Sequence, residues 1–481
     1  MLTLLAASAL ATTTLPEVTE GPDTTVYGYL AYWDDDLYTV PWDDLSHIAI
    51  FSAGSDSVGN LSSTSRWDDT ALAVQLAEPY GVKVHLCVTN FSTSSLDTFL
   101  GDTGAQSDLI ADLVQWQADT GAHGVNIDFE GMPSGRRAEM VEFTRNLEAA
   151  VGEVALATPA VDWGDHWDYA ALTDYADLFI MGYAYHYSGS GTSGPTDPLY
   201  GGDGTPWSAY SLDWTVKDYL DNGADPDRVI LGLALYGIRF PVAQNVVPTA
   251  NIGTGTSVFM AEGIAGAATH GALYESSSAS PYYYDGNEQV WYPTVDSVME
   301  RVDYVDAAGI GGFGFWALHY DDDDPELWDQ IHDATVVPEE PTGGTDGTDG
   351  TDPLGDGSYV ADVGRPFLAY VGDVVALNGE ASTGPGPMSY EWTQISGPSV
   401  TITRNTATPS FTVEETGNMV FELVVGSGEA WSAPAKSYVV VVDRDIARRH
   451  DVGCGCQTAP GPGWLWLGLF GLLGFRRRPA S

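Results

Sequence analysis

The sequence predicts an α/β chain: a (β/α)8 barrel over residues 25–332, then a small all-β sandwich over residues 357–443. Three observations carry this. Eight short runs rich in β-branched and aromatic residues alternate with amphipathic helical patterns across the first three hundred residues, the signature of a closed parallel sheet. A stretch at 333–356, containing EEPTGGTDGTDGTDPLGDG, has almost no apolar residue and reads as a flexible acidic linker. Beyond it, short alternating strands separated by turn residues replace the helical period.

Taken in order, the barrel strands are expected at Val26–Tyr32, His47–Ser52, Val82–Thr89, Gly124–Glu130, Val154–Thr158, Leu178–Tyr183, Val229–Tyr236 and Gly311–Leu318. Between them, Leu109, Leu113 and Trp116 share one helical face, with Gly121 as a stop. Met140, Phe143, Leu147 and Ala150 mark the next helix, and Val298, Val302 and Val305 mark the one before the eighth strand. An open doubly wound sheet would want a glycine-rich phosphate loop after the first strand. That position holds Tyr32-Trp33-Asp34-Asp35-Asp36, whose carboxylates repel a pyrophosphate. The long Tyr/Ser/Gly-rich segment at 240–292 is expected to be a loop or small insertion walling a cleft. In the second domain, strands are expected at Asp373–Leu377, Ser389–Thr393, Val400–Thr403, Ser410–Val413, Val420–Val425 and Tyr438–Val442, without the cysteine pair of antibody domains.

Composition narrows the partners. The chain has 481 residues, 67 acidic and 18 basic, for a formal net charge of −49. Such a surface repels nucleic acid and anionic membranes, so no nucleic-acid partner is expected and a neutral substrate is favoured. The three cysteines, Cys87, Cys454 and Cys456, form neither a disulfide framework nor a zinc spacing, and Cys87 reads as a buried thiol. Residues 1–11, MLTLLAASALA, look like the apolar part and small-residue cleavage site of a signal peptide, although no Lys or Arg precedes it. The acidic runs Asp34–Asp36 and Asp321–Asp324 lack any known calcium-loop spacing and read as solvated patches, with His319 at the rim.

The chemical signal is His123-Gly124-Val125-Asn126-Ile127-Asp128-Phe129-Glu130. A strand alternates faces, so Asn126, Asp128 and Glu130 share one face and Val125, Ile127 and Phe129 the other. In a barrel the polar set points inward, and Glu130 arrives at the C-terminal end where barrel active sites gather. Two carboxylates on one strand face repel each other, which raises a pKa and keeps an acid protonated near neutrality. Spacing alone leaves open an acidic strand end facing solvent or an ion.

At these residues the chain resembles glycoside hydrolase family 18, a chitinase-like family of TIM barrels whose signature is DGxDxDxE. Glu130 matches the catalytic acid, Asp128 the neighbouring carboxylate and Asn126 an inner aspartate position, while His123 replaces the first aspartate. The wording GVNIDFE is similar to the YaaH-like, spore-cortex-lytic branch. Gly28-Tyr29-Leu30-Ala31-Tyr32-Trp33, Leu45–Ala49, Met181-Gly182-Tyr183-Ala184, Leu231–Gly237 and Gly311–Trp316 resemble the first, second, sixth, seventh and eighth strands, so the match spans about 26–330. Two departures stand out. Ala184 replaces the aspartate of MxYD, its contact being left to Tyr185 or Asp162, and Thr89-Asn90-Phe91-Ser92 replaces the third-strand Ser-x-Gly-Gly.

The resemblance implies substrate-assisted, retaining hydrolysis of β-1,4 bonds in N-acetylglucosamine polymers, with Glu130 as acid and base, Asp128 orienting the acetamido group and Tyr183 hydrogen-bonding its oxygen. Asn126, Trp316, Tyr32, Trp33, Tyr236, Met181 and Tyr185 are the implied substrate-binding residues, with Trp316 as the apolar floor. No metal or organic cofactor is implied, and a monomer is expected. Chitin and peptidoglycan glycan both carry the required group. A non-catalytic chitinase-like sugar-binding protein and a surface adhesin are the competing classes.

The second domain resembles polycystic-kidney-disease (PKD)-type Ig-like modules through Ala361–Gly364, Asn378–Ser382, Tyr390-Glu391-Trp392 and Gly397-Pro398, which implies a spacer. At 453–481, Gly453-Cys454-Gly455-Cys456 precedes an apolar run from Trp464 to Phe475 and then Arg476-Arg477-Arg478. This order resembles the C-terminal sorting signals of Myxococcus-type bacteria. It implies a tail transiently or permanently in the membrane and a protein exported to the outside or the outer cell surface.

Overall fold

Eight β-rich runs pair in parallel and close on themselves. In the computed structural model, which describes residues 24–336 and 359–443 apart from 404 and 429, the strands are β1 (Thr25–Ala31), β2 (His47–Ser55), β3 (Lys83–Asn90), β4 (Gly124–Phe129), β5 (Val154–Pro159), β6 (Asp177–Met181), β7 (Val229–Ala234) and β8 (Gly312–Trp316). Each pairs with its successor, and β8 pairs with β1 from Thr25↔Gly312 to Gly28↔Phe315, so the barrel is complete. All eight expected strands are present, within three residues at either end. The expected export signal at 1–11, residues 337–356 of the linker expected over 333–356, and the tail at 453–481 lie outside the described residues; positions 333–335 of that linker belong instead to the Pro325–Thr335 helix. Among the described residues no helix is long and apolar enough to cross a membrane.

Two side-chain layers line the barrel wall, one outside it and one within. Outward residues of the strands join the helices in one large apolar cluster that includes Val125, Ile127 and Phe129 of β4. Phe129 packs edge-on to Phe99 and stacks with Phe143 from two surrounding helices. Inside the barrel, Tyr27, Tyr29, Phe51, Cys87 and Phe179 form a second, mostly aromatic cluster. Glycine makes room for it. A Cβ on Gly314 would stand 2.6 Å from the Phe179 ring, and one on Gly232 2.5 Å from it.

The helices follow their apolar periods with one adjustment. In the Arg137–Val151 helix, Met140, Phe143, Leu147 and Val151 are buried, whereas Ala150 is exposed. The buried stripe runs Met140, Phe143, Leu147, Val151, steps of three and four residues, and its last position is Val151. The Thr103–Thr120 helix starts on Asp102, whose side chain accepts from the Gly104 and Ala105 amides, and stops at Gly121 with φ +78°.

The 240–292 region is more than a loop. Tyr236–Pro241, Thr256–Phe259, Leu273–Glu275, Ser280–Tyr284 and Glu288–Trp291 form a five-stranded antiparallel sheet, with a helix at Met260–His270 packed on it. It is inserted between β7 and β8 at the C-terminal end of the barrel. Arg301, buried on the Val295–Ala308 helix, locks it down. Its guanidinium pairs with Asp197 at 2.8 Å and donates to the carbonyls of Ala279 and Ser297.

Residues 359–443 form a five-stranded sheet, Phe367–Tyr370, Ala435–Val442, Gly417–Ser427 and Ser389–Ser396 in order, with Ala430–Trp431 paired to the end of Gly417–Ser427, and a two-stranded pair, Val374–Ala376 and Ser410–Thr412. Both contribute to one core around the fully buried Trp392. The expected strand at Val400–Thr403 is not one. Val400 and Ile402 lean on that core from irregular backbone, and the Val400 amide is taken by the Gln394 side chain.

Candidate active site

The alternation of β4 divides its side chains between two environments. Asn126 is fully buried inside the barrel. Its amide donates to Tyr27 Oη at 3.2 Å and Tyr29 Oη at 2.8 Å, and its oxygen accepts from Cys87 Sγ at 3.3 Å. With those contacts made, Asn126 faces no solvent and supports the layer above it. This departs from the expectation of a substrate contact.

Asp128 stands one step nearer the C-terminal end and is 5% exposed. Its Oδ1 is buried with no hydrogen-bond partner among the described residues. An unsatisfied carboxylate oxygen is expensive to bury, so it marks a place where a donor arrives from outside. Burial pushes the Asp128 carboxyl up to about 7. Glu130 follows β4 and is half-buried, its amide tied to the Asn90 carbonyl at 3.0 Å. Burial first, then the charge of Asp128, holds its carboxyl well above the usual range. The two acids cannot both ionise readily, so the pair keeps a proton near neutrality.

Aromatic side chains from the other strand ends surround the pair. Tyr183, two residues past β6, lies edge-on to Tyr236 at 6.2 Å. Burial, Tyr236 and the two carboxylates raise the Tyr183 hydroxyl well above its ordinary value, so it stays a donor. Trp316 ends β8, half-buried against Phe51 at 4.7 Å and Tyr29 at 5.5 Å. Trp33 meets it at 6.2 Å, is 43% exposed, and is held by an Nε1 hydrogen bond to Tyr320 Oη at 3.1 Å. Met181 ends β6, half-buried.

Two other expected contacts are occupied otherwise. Tyr32 has the Arg66 guanidinium 3.5 Å over its ring, which covers one face. Tyr185 gives its hydroxyl to Thr215 at 2.6 Å, and Thr215 passes on to the Ala160 carbonyl. Asp162 accepts from the amides of Gly164 and Trp167 within its own loop. Neither is placed to replace the aspartate missing at Ala184, which takes a left-handed φ of +64°. The Thr89–Ser92 departure is absorbed locally. Asn90 bonds Ser95 and Ser92 caps the Thr93–Leu100 helix.

The acidic run at Asp321–Asp324 is not a solvated patch throughout. Asp321 is buried, accepting from Trp328 Nε1 at 2.8 Å, and Asp324 caps the Pro325–Thr335 helix. His319 is nearly covered, 3.6 Å from Asp34. Sequence reasoning did not select Trp163. It follows β5, is 68% exposed, and is propped edge-on by Tyr210 at 4.8 Å. Its position directly after a barrel strand was the available signal.

The family model described as glycosyl hydrolases family 18 matches residues 25–321. A chitinase of Autographa californica nuclear polyhedrosis virus is 24% identical over 297 residues, covering 53% of each chain. A cortical fragment-lytic enzyme of Bacillus cereus is 23% identical over 299 residues, covering 57% of this chain and 65% of its own. The chain thus spans about half to two thirds of the length of these curated relatives. Among solved structures, the second catalytic domain of an Ostrinia furnacalis Group II chitinase superposes with a TM-score of 0.60 at 17% identity, covering 65% of this chain and 96% of that one. A family 18 N-acetylglucosaminidase from Paenibacillus barengoltzii gives 0.57 at 18%, covering 65% and 100%.

Proposed function

This chain belongs to glycosyl hydrolases family 18, and from that premise we propose that it hydrolyses β-1,4 bonds in N-acetylglucosamine polymers with Glu130 as the acid. One observation carries the reading. Glu130, at the C-terminal end of a barrel strand and held above the usual carboxylate range by burial and by Asp128, follows two residues after the buried Asp128, whose Oδ1 has no donor among the described residues.

In the proposed reaction the polymer lies across Trp316. Asp128 accepts the acetamido N–H of the sugar before the cut through that unfilled oxygen, which orients the acetamido carbonyl toward its own C1. Tyr183 donates to the carbonyl. As the carbonyl oxygen bonds to C1, the C1–O bond breaks and Glu130 gives its proton to the leaving oxygen. Glu130, now a carboxylate, takes a proton from the water that opens the cyclic intermediate, so configuration at C1 is retained. The two-carboxylate retaining scheme is not used, because the nucleophile comes from the substrate.

Chitin is the favoured polymer, since a chain of net charge −49 accepts a neutral polymer more readily than an acidic one. Peptidoglycan glycan is the alternative, and the Bacillus cereus relative's name supports it. Export with surface attachment through 453–481, and a PKD-type Ig-like spacer at 357–443, complete the proposal. Proteolytic shaving of intact cells that releases the barrel tests the location.

The test of the reaction is mass spectrometry of products from chitin oligomers and purified peptidoglycan, with Glu130→Gln alongside. Loss of a general acid lowers turnover by about 10²–10⁴. Equal fragments from variant and native chain contradict the role, as does no turnover of either polymer by the native chain.

A further inference from the structure

At the end of the barrel away from Glu130, three side chains from separate strands converge on one point. His47 opens β2, His85 is the third residue of β3, and Glu153 directly precedes β5. His47 Nε2 lies 2.8 Å and His85 Nε2 3.1 Å from the same oxygen, Glu153 Oε1. The three atoms all lie within 4.8 Å of one another. Lys83 Nζ holds the other oxygen, Oε2, at 2.8 Å, leaving Oε1 to the histidines. His85 is wholly buried and His47 nearly so, while Glu153 reaches solvent.

Hydrogen bonding around His47 decides which ring nitrogen carries its proton. Ser46 Oγ donates to the Val26 carbonyl at 3.1 Å and accepts from the Val26 amide at 2.9 Å. Its 2.8 Å contact with His47 Nδ1 is therefore one in which the ring donates. In a neutral ring, Nε2 then points a lone pair at a carboxylate oxygen. Only positive charge between them, a second proton or a metal ion, makes that approach favourable. His85 is oriented through its far nitrogen by the opposite polarity: Tyr27 Oη, which accepts from Asn126, donates to His85 Nδ1 at 3.0 Å, so His85 Nε2 carries the ring proton toward Glu153 and a bound metal would displace that proton to Nδ1. Two imidazoles directed inward through Nε2, each oriented through Nδ1, with one carboxylate, are the donor set of zinc-class ions. Bonds of about 2.0–2.1 Å in a tetrahedron set neighbouring donors roughly 3.3 Å apart, a few tenths wider than the two histidine–Glu153 separations. Gly124 keeps the approach clear: a Cβ there would stand 2.9 Å from His85 Nε2.

We propose that His47, His85 and Glu153 bind a divalent first-row transition metal of the zinc class, with solvent completing its coordination. Two nitrogen donors disfavour calcium and magnesium. The ion pins β2, β3 and the start of β5 and takes no part in hydrolysis, so this inference is independent of the proposed reaction.

The test uses tag-free full-length chain, stripped with chelator and titrated with Zn²⁺ alone or Co²⁺ alone. One ion per chain is expected, with the visible absorption of four-coordinate Co²⁺, a thermal midpoint raised by several degrees, and ¹⁵N shifts in two histidine rings of the native protein. His47→Gln and Glu153→Gln should each weaken binding at least tenfold. Should either variant misfold, the native-chain Co²⁺ spectrum and histidine shifts decide alone. No stoichiometric ion, or no histidine shifts, overturns the proposal. So does affinity unchanged in folded variants, which would mean that the acidic surface held the metal.

Discussion

Asp128 and Glu130 have folded-state pKa values above their unfolded ones, so the sign of their pH dependence follows directly. Stability from such groups is present below the unfolded value and is lost as pH rises through the folded one. Glu130→Gln should therefore raise the stability of the chain at pH 8 by about 1–3 kcal/mol while abolishing turnover. Thermal melts at pH 5 and pH 8 check this, the gain being larger at pH 8. Native turnover should fall at alkaline pH as the pair loses its shared proton. Asn126→Asp would place a third carboxylate in the buried stack, shifting that alkaline limb upward and lowering stability; a pH–rate profile reads both. Trp163→Ala should raise KM severalfold with kcat unchanged, as loss of a remote sugar platform does. The inward direction of Asp128 and Glu130 was legible because a strand's period is two. The task of Asn126 was not, since its partners Tyr27 and Tyr29 lie nearly a hundred positions away. Nor does anything near Tyr32 announce that Arg66 will cover its ring.

Strand and helix positions were readable where burial is continuous. Val154–Pro159 and Val229–Ala234 are buried along almost their whole length and stand out as apolar runs. The inserted sheet was not, because its strands are short, antiparallel and rich in tyrosine, serine and glycine, a composition shared with loops. Val400–Thr403 failed for the converse reason: alternation without a pairing partner is no strand. The insertion depends on Arg301, which joins the Val295–Ala308 helix to Asp197 and to the carbonyl of Ala279. Arg301→Ala would strand Asp197 as an unpaired buried carboxylate, and should cost about 3–5 kcal/mol. Denaturant melts measure that loss. Tyr236, which belongs to the insertion's first strand and stands against Tyr183, should shift with it, lowering turnover as well.

The two bodies of the molecule meet at the end of the barrel away from Glu130. Val440 and Val442 are buried in the barrel's own apolar cluster, with Leu368 and Tyr370 against it. Gln75 Nε2 donates to the Val441 carbonyl at 3.0 Å, Asn418 Nδ2 to the Gln75 carbonyl at 2.9 Å, and Arg365 pairs with Asp43 at 2.9 Å. Asp43 and Gln75 precede β2 and β3, so residues 359–443 dock on the N-terminal rim, away from Glu130. Nothing in the sequence announced this contact, because the residues that make it, Gln75 and Asn418, lie more than three hundred positions apart. Val440→Asp should lower the melting midpoint by at least about 2–4 °C and speed proteolysis near the linker, with turnover unchanged. For the molecule as a whole, the central claim is that the substrate supplies its own nucleophile to an acid held by burial. Initial rates on a chitin oligomer and on the same oligomer stripped of its acetyl groups test it most directly. Cleavage of the acetylated oligomer alone, lost in Glu130→Gln, is the predicted result; equal cleavage of both oligomers would contradict it.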